Sequence, residues 1–281
     1  MSPTIIRTLA ELRGIVGGWK SAGETVGVVP TMGALHAGHL SLVRAASQQC
    51  DRVIVTLFIN PKQFDNPTDY ANYPRTEEED ARKLKSFKVD VLYVPDGDQM
   101  YPDGFATTVS VAGLTKGLCG AHRVGHFDGM ATVVTKLFTQ TQADKAFFGE
   151  KDYQQLQVVT RLARDLDLPI EVIGCPTIRE EDGLAMSSRN LLLSDRARTR
   201  APELHLAMED VAEGLLAGGD LEALKEKAFA RLERAGFGEV EYMDLRAADD
   251  LELLTKPDRP ARLLAAVWLA GVRLIDNIAV G

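Results

Sequence analysis

The chain has 281 residues, a length suited to two hydrophobic cores rather than one. Hydrophobic residues make up 45% and charged residues 26%, an ordinary globular mix, and the net charge of −8 argues against a broad nucleic-acid surface while leaving room for a small basic pocket. Cys50, Cys119 and Cys175 are too few and too far apart for a disulfide framework or a C-x-x-C pair, no segment has the unbroken apolar length of a membrane span, and Met1 to Arg13 lacks a signal-peptide core, so the expectation is a cytoplasmic protein that binds neither nucleic acid nor membrane.

In chain order, Thr25 to Pro30 reads as a first strand and Leu40 to Gln49 as a helix with apolar residues at helical spacing. Arg52 to Ile59 is almost wholly apolar and reads as a strand buried on both faces. Glu77 to Ser86 follows as a charged surface helix, Val89 to Val94 as a strand, and Gly129 to Gln140 as a helix. Lys145 to Phe148, Tyr153 to Asp165 and Ile170 to Cys175 complete the alternation as strand, helix and strand. This pattern predicts an α/β fold, a Rossmann-like doubly wound parallel sheet over 1–177, whose ligands bind beyond the carboxyl ends of its strands. The remainder, 178–281, reads as a smaller α+β lid domain. Its helices span Ser194 to Ala217 and Leu221 to Ala235, and its strands Val240 to Leu245, Leu263 to Leu269 and Val272 to Ile278, the last two joined at Ala270-Gly271.

Four polar stretches fall at predicted strand ends. They are His36-Ala37-Gly38-His39, Asn60-Pro61-Lys62-Gln63-Phe64, Gly149-Glu150-Lys151-Asp152, and Ile178 to Asn190. Only five histidines occur, and two stand three apart at a predicted helix start. Residues so spaced share a helix face, and the unpaired N–H groups of that end favour an anion. The residues alone leave three readings open. The pair is a phosphate site aided by Gly33 and Gly38, or one core and one surface histidine, or half of a zinc site with His122 and His126. Neither G-x-G-x-x-G nor G-x-x-x-x-G-K-[ST] is present.

His36-Ala37-Gly38-His39 resembles the H-x-G-H signature of the nucleotidyltransferase superfamily, and Met186-Ser187-Ser188-Arg189 its mobile loop. The resemblance narrows through Pro30 to His36, Asn60 to Phe64, Tyr73-Pro74-Arg75-Thr76, Gly125-His126-Phe127, Phe148 to Gln155, Ser187 to Asn190 and Leu274-Ile275-Asp276-Asn277, which occur in this order. By these motifs the chain is identified as a member of the pantoate–β-alanine ligase family. The resemblance implies ATP-dependent ligation of pantoate to β-alanine through a pantoyl adenylate, with Mg²⁺ as cofactor and a homodimer as the assembly.

It also implies site roles. His36 and His39 would meet the β- and γ-phosphates, His39 also serving as proton donor, and Lys151 would bridge phosphate oxygens. Ser187, Ser188 and Arg189 would close over the triphosphate beside Met186. Gly149 and Asp152 would meet the ribose, with Glu150 and Gly33 in the same stretches, and the Ile178 backbone the adenine edge. Gln63 and Gln155 would hold pantoate, with Met32 near its carboxylate and Asn60 in the same stretch. Arg123, helped by Tyr73, would take the carboxylate of β-alanine, and His126 would be structural. No protein residue is expected as a metal ligand. Lys62, Cys119 and Val124 depart from the family pattern of Met, an acidic residue and Pro. The competing readings are a nucleotidyltransferase acting on a phosphorylated acceptor and a non-catalytic nucleotide sensor.

Overall fold

The computed structural model describes residues 2–65 and 67–281, so residues 1 and 66 of the expected first domain lie outside it. Six strands form one parallel sheet: β1 (Thr4–Ile6), β2 (Val26–Thr31), β3 (Arg52–Leu57), β4 (Val91–Tyr93), β5 (Lys145–Gly149) and β6 (Glu171–Cys175). Their order is β1-β4-β3-β2-β5-β6. Strand order reverses between β2 and β5, and ligands of open α/β sheets bind at such a switch point.

Alternate strand residues cover opposite faces. On one face Val29, Val53, Val55, Leu92 and Phe147 share a core with Leu42, Val43 and Ala46 of α2 (Ala37–Gln49). On the other, Phe148 meets Phe138, and the Tyr93 hydroxyl donates to Gln140. Both partners belong to a long helix at His126–Thr141, which is α4 in chain order after α1 (Leu9–Ser21) and α3 (Glu77–Leu84). Burial from both sides is why these strands are nearly continuous apolar runs.

The elements that escape the sequence reading include β1 and α1. β1 is only three residues long, too short to display a period, and α1 carries Gly14, Gly17 and Gly18, which blur its apolar stripe around buried Leu12 and Val16. α2 begins three residues before Leu40 because His36 caps it. α3 is a surface helix on three sides only, since Asp80 and Leu84 are fully buried.

The last third builds a three-stranded antiparallel sheet in the order β7-β8-β9: β7 (Val240–Ala247), β8 (Ala261–Leu269) and β9 (Val272–Val280). Ala270 and Gly271, at φ 51° and 80°, make the β8–β9 hairpin turn, in which two left-handed residues match the strand twist. The sheet shares a core with α6 (Glu203–Leu216) and α7 (Leu221–Ala235), including Leu204, Met208, Val211, Leu232, Leu263 and Leu274. The single helix expected over Ser194 to Ala217 is instead a turn at Asp195–Arg198 followed by α6. Pro202 stands at the break, where a missing N–H and a ring clash prevent continuation.

The chain does not divide at one point. One compact unit comprises 1–113, 123–150 and 158–176, and the other comprises 114–122, 151–157 and 177–281. The second unit therefore takes the segment of Lys151, Asp152 and Gln155 as well as the C-terminal stretch. Helix α5 (Tyr153–Asp165) contributes its first residues to one unit and the rest to the other.

Candidate active site

In the first unit, the loop after β2 turns through Gly33 and Ala34, at φ 86° and 51°. Ala34 has no glycine-like freedom there, and the left-handed conformation costs it about 1 kcal/mol. Buried Asp80 holds it in place. Its carboxylate accepts from Ala34 N (2.9 Å), Leu35 N (2.8 Å) and the Thr76 hydroxyl (3.0 Å), while Lys83 Nζ donates to the Leu35 carbonyl at 2.7 Å. Asp80 was not among the residues the sequence points to. A signal existed, since Asp80 and apolar Leu84 lie one helical turn apart on one face.

The H-x-G-H spacing has a local explanation. His36 is the N-cap of α2, and its Nδ1 accepts from Gly38 N at 3.2 Å. His39, three residues on, accepts from His36 N through its own Nδ1 at 3.4 Å. The histidines thus form a capping box in the manner of Ser and Glu. In a neutral imidazole whose Nδ1 accepts, the proton sits on Nε2. The two rings lie 4.1 Å apart between centroids, at 37°. The arrangement sets two N–H donors at the positive end of a helix.

A second cluster of this unit follows β3. Asn60 is 0% exposed, and its amide is engaged at both ends. Oδ1 accepts from the Tyr101 hydroxyl (2.7 Å) and Lys62 N, while Nδ2 donates to Gln63 Oε1 and the Gly129 carbonyl, both at 3.0 Å. Burial pushes the Tyr101 phenol pKa up, which keeps it a donor. Gln63 Oε1 being occupied by Asn60, its Nε2 donates towards Met32 Sδ at 3.1 Å. The turn at 61–63 lies so close to α4 that a Cβ on Gly129 would collide with the Lys62 carbonyl. The Lys62 ammonium lies 5.1 Å from the Tyr101 ring centroid and 5.5 Å from that of Phe105.

His126 is buried, and its Nδ1 lies 2.7 Å from the Gln63 carbonyl. A carbonyl only accepts, so Nδ1 carries the proton and Nε2 accepts from Arg123 NH1 at 3.2 Å. Arg123 also pairs with Asp65 at 3.2 Å and reaches the Gln63 carbonyl. Tyr73 is buried with its ring against Phe64. Gly149 closes β5 in this same unit, and Glu150 follows it.

In the second unit, Lys151 and Asp152 are a loose pair at 3.9 Å, the lysine side chain only 16% exposed. Gln155 is half-buried on α5, and its neighbour Gln154 is buried. Gln154 donates to the carbonyls of Leu114 and Gly117 and accepts from Cys119 N, each at 2.8–3.0 Å. The stretch from Ile178 folds back on itself. Met186 N donates to the Ile178 carbonyl at 3.0 Å, and Arg179 bridges Ala185. Ser187 then caps the turn Ser188–Leu192, accepting from Arg189 N at 3.2 Å. Each unit therefore gathers part of the residue set that the sequence points to. His122 belongs to the second unit. It lies 3.9 Å from Glu241, and the described residues contain no group of three or more His, Cys, Asp or Glu able to hold a metal ion.

Residues 4–279 match the family model described as pantoate–β-alanine ligase. The chain belongs to the pantoate–β-alanine ligase family. Among its relatives, the pantothenate synthetase of Roseobacter denitrificans is 66% identical over 280 residues, 100% of this chain and 99% of that one. That of Ruegeria pomeroyi is 64% identical, over 100% and 98% of the two chains. The crystal structure of pantothenate synthetase from Thermus thermophilus superposes with a TM-score of 0.92 at 44% identity, covering 98% of each chain. The Francisella tularensis pantoate–β-alanine ligase, solved in complex with β-γ ATP and β-alanine, gives a TM-score of 0.83 at 34% identity over 98% of this chain and 97% of its own. The parallel sheet and the small antiparallel sheet are thus those of pantoate–β-alanine ligases. No described helix is long and apolar enough to cross a membrane.

Proposed function

We propose that this pantoate–β-alanine ligase joins pantoate to β-alanine at the expense of ATP, yielding pantothenate, AMP and pyrophosphate. The observation that carries the reading is the start of α2, where both imidazoles accept backbone amides through Nδ1 and so present Nε2–H. In the first step a pantoate carboxylate oxygen bonds to the α-phosphorus of ATP, and the bond to the pyrophosphate oxygen breaks. Negative charge grows on the departing β- and γ-phosphates. Fixed N–H donors from His36 and His39, with the Lys151 ammonium, stabilise it more in the transition state than in the ground state. His39 serves the departing phosphates as a hydrogen-bond donor through Nε2–H, its ring held by the His36 amide as the His36 ring is held by that of Gly38.

Gln63, set by Asn60, and Gln155 hold the hydroxyls and carboxylate of pantoate, with Met32 beside the reacting oxygen. Gly149, Glu150, Asp152 and the Ile178 backbone take the adenosine, and Gly33, Met186, Ser187, Ser188 and Arg189 the triphosphate. In the second step the amine of β-alanine attacks the carbonyl carbon of the adenylate and AMP departs. Arg123 takes the β-alanine carboxylate in exchange for Asp65, with Tyr73 at its side. Mg²⁺ bound with the triphosphate would neutralise part of its charge, and the described residues hold no cluster of three or more His, Cys, Asp or Glu that would bind it independently. The enzyme works as a homodimer in the cytoplasm.

The test is release of pyrophosphate from ATP with pantoate present and β-alanine withheld. Stoichiometric release, followed by AMP and pantothenate once β-alanine is added, is the expected result. A nucleotidyltransferase on the same scaffold would ignore pantoate, and a nucleotide sensor would release nothing.

A further inference from the structure

The dipeptide Asp276-Asn277 on β9 is a polar interruption of a strand that otherwise alternates into an apolar core, with Val272, Leu274 and Val280 in that core. Both side chains are buried, at 4% and 3% exposure. Neighbouring strand residues point to opposite faces, so the two address different partners. Asp276 takes Arg179 in a two-pronged ion pair, at 2.6 and 3.0 Å, and its Oδ1 also accepts from Asn277 N at 2.7 Å. Arg179 NH1 donates at the same time to the Gly183 carbonyl at 3.0 Å, tying together the fold-back that runs from Ile178 to Met186. Asn277 Nδ2 donates to the Lys151 carbonyl at 2.9 Å, while its Oδ1 accepts from Arg262, whose guanidinium lies 4.1 Å from the centroid of the Tyr153 ring. All of these residues belong to one compact unit.

We propose that Asp276 and Asn277 are positioning residues for adenylation, one dipeptide fixing the backbone of Lys151 and the fold-back that leads into Ser187-Ser188-Arg189. The proposal rests on the reading that Lys151 contacts the phosphates of ATP. A buried ion pair and a buried amide add little net stability compared with apolar residues of the same shape. What they add is direction: the bonds end on the backbones of the two segments that carry the proposed nucleotide contacts of this unit. A lysine acting as a point charge loses its effect when its Cα shifts by about 1 Å, since misplacement on that scale costs large factors in rate.

The test is a double-mutant cycle on pantoate-dependent pyrophosphate release, using N277D, K151A and the pair. Asp keeps the shape and the acceptor for Arg262 but removes the donor to the Lys151 carbonyl. The expected loss in kcat for N277D is about tenfold, the equivalent of about 1.4 kcal/mol, with KM for pantoate and for β-alanine unchanged. In the K151A background the same substitution is expected to cost less than about twofold, because the side chain it positions is gone. Equal losses in both backgrounds would mean that Asn277 supports the fold alone, and would overturn the proposal while leaving Lys151 in place. Wild-type pyrophosphate release by K151A would instead remove Lys151 from the phosphates, and the proposal with it. Should N277D fail to fold, N277A, which likewise lacks the donor to the Lys151 carbonyl, carries the same cycle with the same criterion.

Discussion

Replacing Asp80 by Asn probes the link between a buried helix residue and the histidine pair. The Asp80 carboxylate is fully buried and accepts from two consecutive amides, Ala34 N and Leu35 N, and from the Thr76 hydroxyl. Asn has the same shape but offers one acceptor, and turns an NH₂ towards whichever group has lost its partner. The Thr76 hydroxyl can accept from that NH₂, so the damage falls mainly on the Ala34 amide, which keeps only its weaker 3.2 Å bond to Thr76. One charge-assisted bond at about 2 kcal/mol and a poorly matched buried donor at about 1 kcal/mol sum to roughly 3 kcal/mol. Part of that loss is relieved if Ala34 leaves its left-handed conformation, and such a move displaces His36 two residues on. Two measurements follow. Hydrogen exchange at the Ala34 and Leu35 amides is expected to accelerate by about a hundredfold or more, and pantoate-dependent pyrophosphate release to fall at least tenfold. Unchanged exchange at both amides, or full adenylation despite fast exchange, would refute the claim that Asp80 holds the histidine loop.

H39A is expected to slow adenylation by about a hundredfold, from loss of an N–H donor worth on the order of 3 kcal/mol, with a further cost near 1 kcal/mol in stability from the broken cap. Near-normal turnover in single-turnover kinetics would remove His39 from the chemistry. Q155A is expected to raise KM for pantoate by more than tenfold and that for ATP by less than twofold, and equal weakening of both ligands would contradict a contact specific to pantoate. G129A forces α4 away from the Lys62 carbonyl and is expected to destabilise the protein by about 3 kcal/mol and weaken pantoate through Gln63, to be read by urea denaturation and a pantoate titration. A stable G129A enzyme with normal pantoate affinity would show that the turn at 61–63 does not depend on this close approach.

Much of the candidate site is legible because its residues are sequence-local. His36 and His39 cap their own helix, and Ser187 caps its own turn, so spacing alone reveals the geometry. The supporting residues are not local. Asp80 lies 46 residues from Ala34, and Asn277 lies 126 residues from Lys151. The spacing of Asp80 to Leu84 points to a buried face, but neither that nor a lone Asn in a strand identifies partners so distant. The same holds for the boundary of the units. Periodicity places a break near residue 177, but it cannot show that 114–122 and 151–157 group with the C-terminal sheet, because that grouping rests on contacts such as Gln154 with Leu114 and Arg262 with Tyr153.

By itself the sequence determined the alternation of buried strands and amphipathic helices, the hairpin at Ala270-Gly271, and the motifs of the family, because each is written in neighbours a few residues apart. Tertiary structure alone decided that the glutamine side chain at position 63 is turned by Asn60, that Arg123 lies against Asp65 and His126, and that β9 holds Lys151 by its backbone. The physical reason is that a hydrogen bond between distant segments depends on where the packed core brings them, and no local pattern encodes that distance.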